Sequence, residues 1–251
     1  PVIKMHFPPA EILFESTALI AITGADAGAT INGDMIKNNH PVIVNKNTVL
    51  QFNKFETGAR LYVAIHEKMA VEKWLDSFCT NTKAKLGGYK GRALQKGDTL
   101  LFKEPRNYWL TKDFLQLPWK MDKCFFTNEK SVRVVKGPEW NWLTERAKTK
   151  FENEEFLIST LSDRMGYHLQ SGLSSITNKD LVSSAVDFGT IQLFPSGDMI
   201  ILMADHQTTG GYPRIANVIS ADLPIVAQSL PGEKIKFVRL DISEAKEILF
   251  Q

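Results

Sequence analysis

The sequence predicts a mainly β protein, arranged as barrels or sandwiches with a few short helices. Three observations carry this expectation. Short apolar, β-branched runs recur along all 251 residues, turn residues punctuate them, and no strand–helix–strand rhythm joins them.

Residues 18–23 (Ala-Leu-Ile-Ala-Ile-Thr) form an apolar run compatible with a buried strand. Asn32-Gly33 stands between Thr30-Ile31 and Asp34-Met35-Ile36, the strongest short hairpin signal, because both turn positions take positive φ. Residues 41–44, 48–52 and 60–65 follow as strands. In the last, Leu61, Val63 and Ile65 share one face against Arg60, Tyr62 and Ala64. Val71, Trp74, Leu75 and Phe78 recur at helical spacing, so 69–79 is expected to be an amphipathic helix.

In the second half, 131–135, 155–161, 190–194, 199–203, 215–219 and 234–240 read as strands, with Ser196-Gly197-Asp198 turning between two of them. Pro138 is placed to open a helix containing Trp142, Leu143, Arg146 and Ala147. Residues 222–228 make a short helix, with Pro224 confined to its first turn. A last helix spans 243–250, started by Asp241 with Glu244 at capping-box spacing. The polar, aromatic stretch 104–122 is the expected junction, giving one β-domain over 1–118 and another over 119–251.

Composition excludes several classes. Hydrophobic residues at 43% rule out a disordered chain. Thirty Lys and Arg against 28 Asp and Glu give no basic excess for nucleic acid. The densest basic patch, Lys83, Lys85, Lys90, Arg92 and Lys96, reads as a solvated face. No run is long enough for a membrane helix, no signal-peptide layout opens the chain, and two cysteines make no secreted framework. Cys79 and Cys124 are expected to be buried, inert thiols of a cytoplasmic protein. Phosphate-loop, dinucleotide, zinc-protease and nucleophile-elbow motifs are all missing, and no histidine has a ligand neighbour at metal spacing.

Polar chemistry is concentrated in three segments. Thr23-Gly24-Ala25-Asp26-Ala27-Gly28 follows a strand, with Asp26 either a binding residue or the cap of its own turn. Ser162-Asp163-Arg164-Met165-Gly166-Tyr167 sets a carboxylate beside a guanidinium, next to a glycine open to close approach. This pair either binds an anion or staples a turn. The third segment runs from Asp205 through His206, Gln207, Thr208, Thr209, Gly210 and Gly211 to Tyr212 and Pro213. Its glycines can present successive N–H groups to an anion.

These segments, with Gly87-Gly88-Tyr89-Lys90-Gly91-Arg92, Val132-Arg133-Val134-Val135-Lys136-Gly137-Pro138, Gly189-Thr190-Ile191-Gln192 and Val218-Ile219-Ser220-Ala221-Asp222, resemble the biotin-dependent carboxyltransferase family. That family includes the 5-oxoprolinase C-subunit, allophanate hydrolase subunit 2 and the KipA proteins. The resemblance implies two cyclophilin-like β-barrel subdomains. It also implies one component of an ATP-dependent 5-oxoprolinase, using ATP with Mg and working with a KipI-like B-subunit plus an A-subunit. Two other roles run in the family: biotin-dependent carboxyl transfer to urea or a related amide, and non-catalytic antagonism of a KipI-like kinase inhibitor. Members usually carry a further N-terminal stretch with Q-D-x-G-R and G-V-P-x-S-G-x-M-D motifs. This chain, opening on Pro1-Val2-Ile3, is therefore expected to represent part of a longer protein. It also departs from the family at His66-Glu67, at 76–80 and at His168.

Opening a stable lactam requires donors where negative charge grows. Arg164 is the expected ligand of a substrate carboxylate or phosphate, and Gly210 and Gly211 are the expected backbone donors. Asp163, Asp205 and His206 are candidates for proton transfer or orientation. Gln192 and Tyr212, with Asp26, Gly166, Tyr167, Thr208 and Thr209, complete the candidate binding set. No metal ligand is assigned.

Overall fold

A computed structural model describes residues 2–6, 10–121, 130–174 and 181–249. The chain divides into two compact units, Pro1–Lys123 and Cys124–Gln251. Strand content of 39% against 12% helix makes it mainly β, as the alternating runs predict. Among the described residues no helix is long and apolar enough to cross a membrane.

The first unit holds β1 (Val2–Met5), β2 (Ile12–Phe14), β3 (Ala18–Asp26), β4 (Ala29–Ile31), β5 (Asp34–Met35), β6 (Pro41–Val44), β7 (Thr48–Phe52), β8 (Thr57–Ile65) and β9 (Phe114–Gln116). They form a five-stranded sheet, β1-β8-β3-β6-β9, and a four-stranded sheet, β2-β7-β4-β5. Ile20, Val42, Leu61 and Val63 of one sheet and Ile31 and Leu50 of the other share a single core. The closed barrel of the fold lies in the second unit. Asn32 and Gly33 take φ of 50° and 94° and close the β4–β5 hairpin, as their sequence requires.

The helix expected over 69–79 does not form. Leu75 and Asp76 adopt φ of 45° and 64°, and Trp74 and Ser77 exchange both backbone hydrogen bonds, which makes a two-residue turn. The residues spaced for one helix face part company: Val71 packs against the core, whereas Leu75 is 79% exposed. Cys79, expected to be buried on that helix, is exposed; Cys124 lies outside the described residues. The nearby basic patch is partly paired: Arg92 grips Asp98 through Nη1–Oδ2 at 2.6 Å and Nη2–Oδ1 at 2.7 Å. The guanidinium holds the Asp98 carboxyl well below the usual carboxylate range.

The second unit holds β10 (Ser131–Lys136), β11 (Glu155–Ile158), β12 (Gly166–Gln170), β13 (Ser184–Ala185), β14 (Thr190–Leu193), β15 (Met199–Leu202), β16 (Thr209–Gly210), β17 (Arg214–Val218) and β18 (Lys234–Arg239). Seven of these close a barrel in the order β10-β17-β14-β15-β12-β11-β18, sealed by the parallel pairing of β10 with β18. β13 and β16 form a separate two-stranded ribbon. Val132, Ile191, Ile201, Ile215, Ile235 and Phe237 fill the interior.

Among the described residues, three α-helices decorate this unit. Helix α1 (Glu145–Asn153) starts later than Pro138 predicts: only a short 3₁₀ turn, Trp140–Trp142, forms first, and Thr144 caps the helix by accepting the Ala147 N–H at 3.1 Å. Phe151 of α1 stacks on Phe237 at 4.6 Å and meets Trp140 edge-on at 5.3 Å, anchoring the helix to the barrel. Helix α2 (Leu223–Ala227) carries its proline in the first turn. Helix α3 (Ile242–Leu249) starts as predicted, the Asp241 N–H donating to Glu244 at 2.8 Å; Phe250 lies outside the described residues.

One buried ion pair ties the start of β17 to the turn before α1. Arg214 donates Nε to Glu139 Oε2 at 3.0 Å and Nη2 to Oε1 at 2.9 Å, and its backbone N–H adds a third bond at 2.9 Å. Burial is the largest single effect on Glu139 and pushes its pKa up. The side-chain and backbone bonds from Arg214 together outweigh it, so the carboxyl stays below its ordinary value.

The turn and the ion pair can each be tested by substitution. Leu75→Asn combined with Asp76→Gly supplies the residues a two-residue positive-φ turn prefers. Thermal melting should show a rise of about 2 °C or more, whereas in a helix the glycine alone would cost about 1 kcal/mol. Glu139→Gln leaves Arg214 without its counter-charge and should destabilise the chain by about 2–4 kcal/mol at neutral pH. The folded pKa of Glu139 is depressed, so its stabilisation is complete above the unfolded value and is lost as pH falls through the folded one. Urea titrations of wild type and variant should therefore converge as pH drops below about 4.5.

Candidate functional site

The candidate residues gather on the second unit, with one exception. The loop entering β12 and the loop leaving β15 are zipped by backbone bonds: Met203 N–H to the Met165 carbonyl at 3.0 Å and Asp205 N–H to the Arg164 carbonyl at 2.9 Å. This extends the β12–β15 ladder past its last formal pair and fixes the two loops side by side.

On that platform Arg164 meets Asp205 in a two-pronged pair, Nε to Oδ2 at 2.5 Å and Nη2 to Oδ1 at 2.7 Å. The side chains are 52% and 49% exposed, so the fork faces solvent. Asp163 spends one carboxylate oxygen on its own turn, accepting the N–H groups of Met165 at 2.7 Å and Gly166 at 3.3 Å. His206 sits beside Asp205, with Nδ1 at 2.5 Å from the Gln207 carbonyl oxygen. A carbonyl only accepts, so Nδ1 is the donor in this arrangement. The two zipped loops thus carry an acid, an imidazole and a guanidinium.

The remaining candidates follow the ribbon. Thr209 and Gly210 form β16, paired with Ala185 and Ser184. The Thr208 carbonyl accepts the Val186 N–H at 3.1 Å. Gln192 is buried beneath, its Nε2 donating to the Tyr212 carbonyl at 3.4 Å. The Tyr212 ring meets Phe194 edge-on at 4.8 Å, and Phe194 stacks on His168 at 6.0 Å.

Several residues take other positions. Neither Gly210 nor Gly211 adopts a left-handed φ, so the alternation that builds an anion-binding nest is not formed there. Gly210 is glycine for packing: a Cβ would stand 2.5 Å from Gln192 Nε2. At Gly166 it would stand 2.4 Å from Ile200 Cδ1. Tyr167 is buried in the barrel core, its hydroxyl donating to the Ser229 carbonyl at 3.3 Å. Asp26 belongs to the first unit, where Oδ1 accepts the Gly28 N–H at 3.0 Å.

Sequence patterning does not single out Glu139 and Arg214, although one follows Pro138 and the other ends the polar run at Pro213. Arg214 Nη1 also donates to the Ala185 carbonyl at 3.1 Å, so the same guanidinium holds the ribbon. No signal local to either segment links positions so far apart in sequence. Among the described residues no group of three or more His, Cys, Asp or Glu side chains is placed to hold a metal.

Comparison with known proteins places this architecture. The chain is 30% identical to the 5-oxoprolinase C-subunit of Escherichia coli over 247 residues, covering 98% of this chain and 77% of that protein. It is 28% identical to the urea amidolyase of Saccharomyces cerevisiae over 268 residues, 99% of this chain and 14% of that much longer protein. The crystal structure of Kluyveromyces lactis urea carboxylase superposes with a TM-score of 0.84 at 24% identity, over 100% of this chain and 24% of that one. The carboxyltransferase domain family, subdomains A and B, matches residues 1–239, and the chain belongs to that family.

Proposed function

We propose that the chain acts as one component of an ATP-dependent 5-oxoprolinase, opening 5-oxo-L-proline to L-glutamate in a cytoplasmic complex with a KipI-like B-subunit plus an A-subunit. The observation that carries this reading is the solvent-facing Arg164–Asp205 fork beside His206. Similarity along nearly the whole chain to the 5-oxoprolinase C-subunit supports it.

This reading gives each residue a role. Arg164 exchanges Asp205 for the substrate carboxylate or a phosphate, a fork-to-fork replacement that keeps both hydrogen bonds. Asp205, released, stands with His206 Nε2 to take a proton from water and return one to the lactam nitrogen as the ring opens. Asp163 holds the turn that presents Arg164. Tyr212 and Gln192 shape the adjacent wall. ATP supplies the driving force when bound. Arg164 is the residue here that fits one of its phosphates, and Mg would come with the nucleotide.

Carboxyl transfer from biotin to urea or a related amide is the second reading, favoured by similarity to urea amidolyase across 99% of the chain. It requires a biotin carboxylase and a biotin carrier, and predicts exchange of labelled carboxyl between carboxybiotin and urea.

A coupled ATPase assay of the chain with both partner subunits should show turnover stimulated by 5-oxoproline. Arg164→Ala should lower kcat/KM by about a hundredfold or more while the complex still elutes intact. Arg164→Lys should fall between, because a point charge cannot reproduce the fork. Stability should change by less than about 1 kcal/mol, since the pair is half-exposed. Absence of stimulated turnover from the reconstituted set would overturn the reading.

A further inference from the structure

Between β8 and β9 the chain runs through residues 66–113 without a strand or helix. Loops beyond roughly 12–15 residues with no secondary structure of their own are uncommon in compact units and usually carry function. This one is not loose. Met69, Val71, Leu100 and Phe102 pin its base to the core, and the Ala70 N–H donates to the Leu101 carbonyl at 2.7 Å. Beyond the base, residues 72–98 fold into a knot held by backbone. Glu72 and Gly88 exchange both hydrogen bonds at 2.9 Å, and Asn81 and Leu86 exchange theirs at 2.9 and 3.2 Å.

Glycines let the strands of this knot touch. A Cβ at Gly88 would collide with the Thr80 side chain, and one at Gly91 with the Lys85 carbonyl. The glycine-rich run is not a phosphate cradle, because its N–H groups are spent inside the knot. Gly88 donates to the Glu72 carbonyl, Tyr89 to Thr80 Oγ1, Gly91 to the Gly87 carbonyl and Arg92 to the Tyr89 carbonyl.

The knot presents charge and leucine. It holds six cations, Lys73, Lys83, Lys85, Lys90, Arg92 and Lys96, against the three acids Glu72, Asp76 and Asp98. That surplus exceeds the net charge of +2 on the whole chain, so the remainder of the molecule has no positive surplus of its own. Lys83, Lys85, Lys90 and Lys96 are exposed, and so are Leu75, Phe78, Leu86 and Leu94. A Cβ at Gly87 would stand 3.1 Å from Trp74 Cβ and 3.0 Å from the Cys79 carbonyl oxygen, which sets Leu86 beside the turn carrying Leu75 and Phe78. The Gly91 approach sets Lys90 against Lys85. Among the described residues, the core takes none of the knot's apolar side chains.

A rigid platform showing leucines among lysines is suited to contact, and charge decides with what. Complementarity calls for Asp and Glu around an apolar centre. Nucleic acid stacks on open aromatic faces. Here Lys90 and Arg92 each stand 5.2 Å from the Tyr89 ring, and Lys73 stands 5.7 Å from that of Phe78. A lipid surface is bound by an amphipathic helix. Residues 74–77 turn instead, with Asp76 94% exposed beside Leu75.

We infer that the 72–98 knot docks an acidic, leucine-bearing segment of a partner protein. Lys83, Lys85 and Lys90 meet its carboxylates, and Leu86 meets its apolar side chains. Docking there is independent of the oxoprolinase reading, because the knot belongs to the first unit and the Arg164 fork to the second.

The test uses the full chain and a fluorescein-labelled peptide in which Asp and Glu surround two leucines. Anisotropy should show saturable binding that weakens at least about tenfold when Asn and Gln replace the acids, and at least about threefold when Ser replaces the leucines. Lys83→Glu combined with Lys85→Glu should weaken it by about tenfold or more. Lys46→Glu with Lys54→Glu, the same charge change on exposed lysines elsewhere in that unit, should leave it within about twofold. Carbodiimide coupling should join the peptide's carboxylates to Lys83, Lys85 or Lys90.

No saturable binding, equal binding of the uncharged or serine peptide, equal loss in the Lys46 and Lys54 variant, or cross-links confined to lysines outside the knot would each overturn the inference. So would tighter binding of oligouridine or of phosphatidylserine vesicles than of the peptide, which would reassign the knot to nucleic acid or lipid. If the double reversal at Lys83 and Lys85 fails to fold, the two peptide analogues and the cross-links decide on the wild-type chain.

Discussion

The Glu139–Arg214 pair is the constraint on which the second unit depends. Removing a carboxylate from water is costly, and it is tolerated only where hydrogen bonds replace the lost hydration. Here the guanidinium fork and the Arg214 N–H supply them, and Glu139 remains ionised. The geometry they impose is wider than the pair. The Gly137 N–H donates to the Ile215 carbonyl at 2.9 Å, and a Cβ on Gly137 would come within 2.1 Å of the Arg214 carbonyl oxygen. One arginine thus sets where β17 begins, where the chain turns toward α1, and where the ribbon rests.

Exposure separates the uses of three Arg–carboxylate forks among the described residues of this unit. The Asp222 side chain, gripped by Arg133, is 1% exposed; Glu139 is 8% exposed; Asp205 is 49% exposed. Breaking either of the first two strands a buried charge. Breaking the third returns both partners to water at small cost. Of the three, the Arg164–Asp205 pair is the one whose opening strands no buried charge, and the proposed function draws on that difference.

Strands are legible where one face is buried. The alternation at 60–65 and the Asn-Gly turn need nothing beyond local chemistry, because burial on one face and positive φ leave a mark on neighbouring residues. The error at 69–79 has the opposite cause. Helical spacing of Val71, Trp74, Leu75 and Phe78 is evidence only if one partner surface receives the whole face. Val71 finds the core and Leu75 does not, and the turn at Leu75-Asp76 takes the chain instead. β12 is hidden because its first residues, Gly166 and Tyr167, belong by composition to a polar loop. The Glu139–Arg214 link joins segments 75 residues apart, and nothing local to either segment records it.

Glycine shows why the candidate site is only partly legible. Gly166 and Gly210 stand in polar surroundings, and residue type alone cannot separate room for a ligand from room for a neighbour. At both positions the neighbour is protein: the Ile200 side chain at one and the Gln192 amide at the other. Asp163 and Arg164 are more informative, because charge restricts the choices more than size does. Asp163 caps its own turn, and Arg164 reaches across to Asp205, 41 residues away. One acid thus fixes the backbone of the turn and the other pairs with the guanidinium from the neighbouring loop.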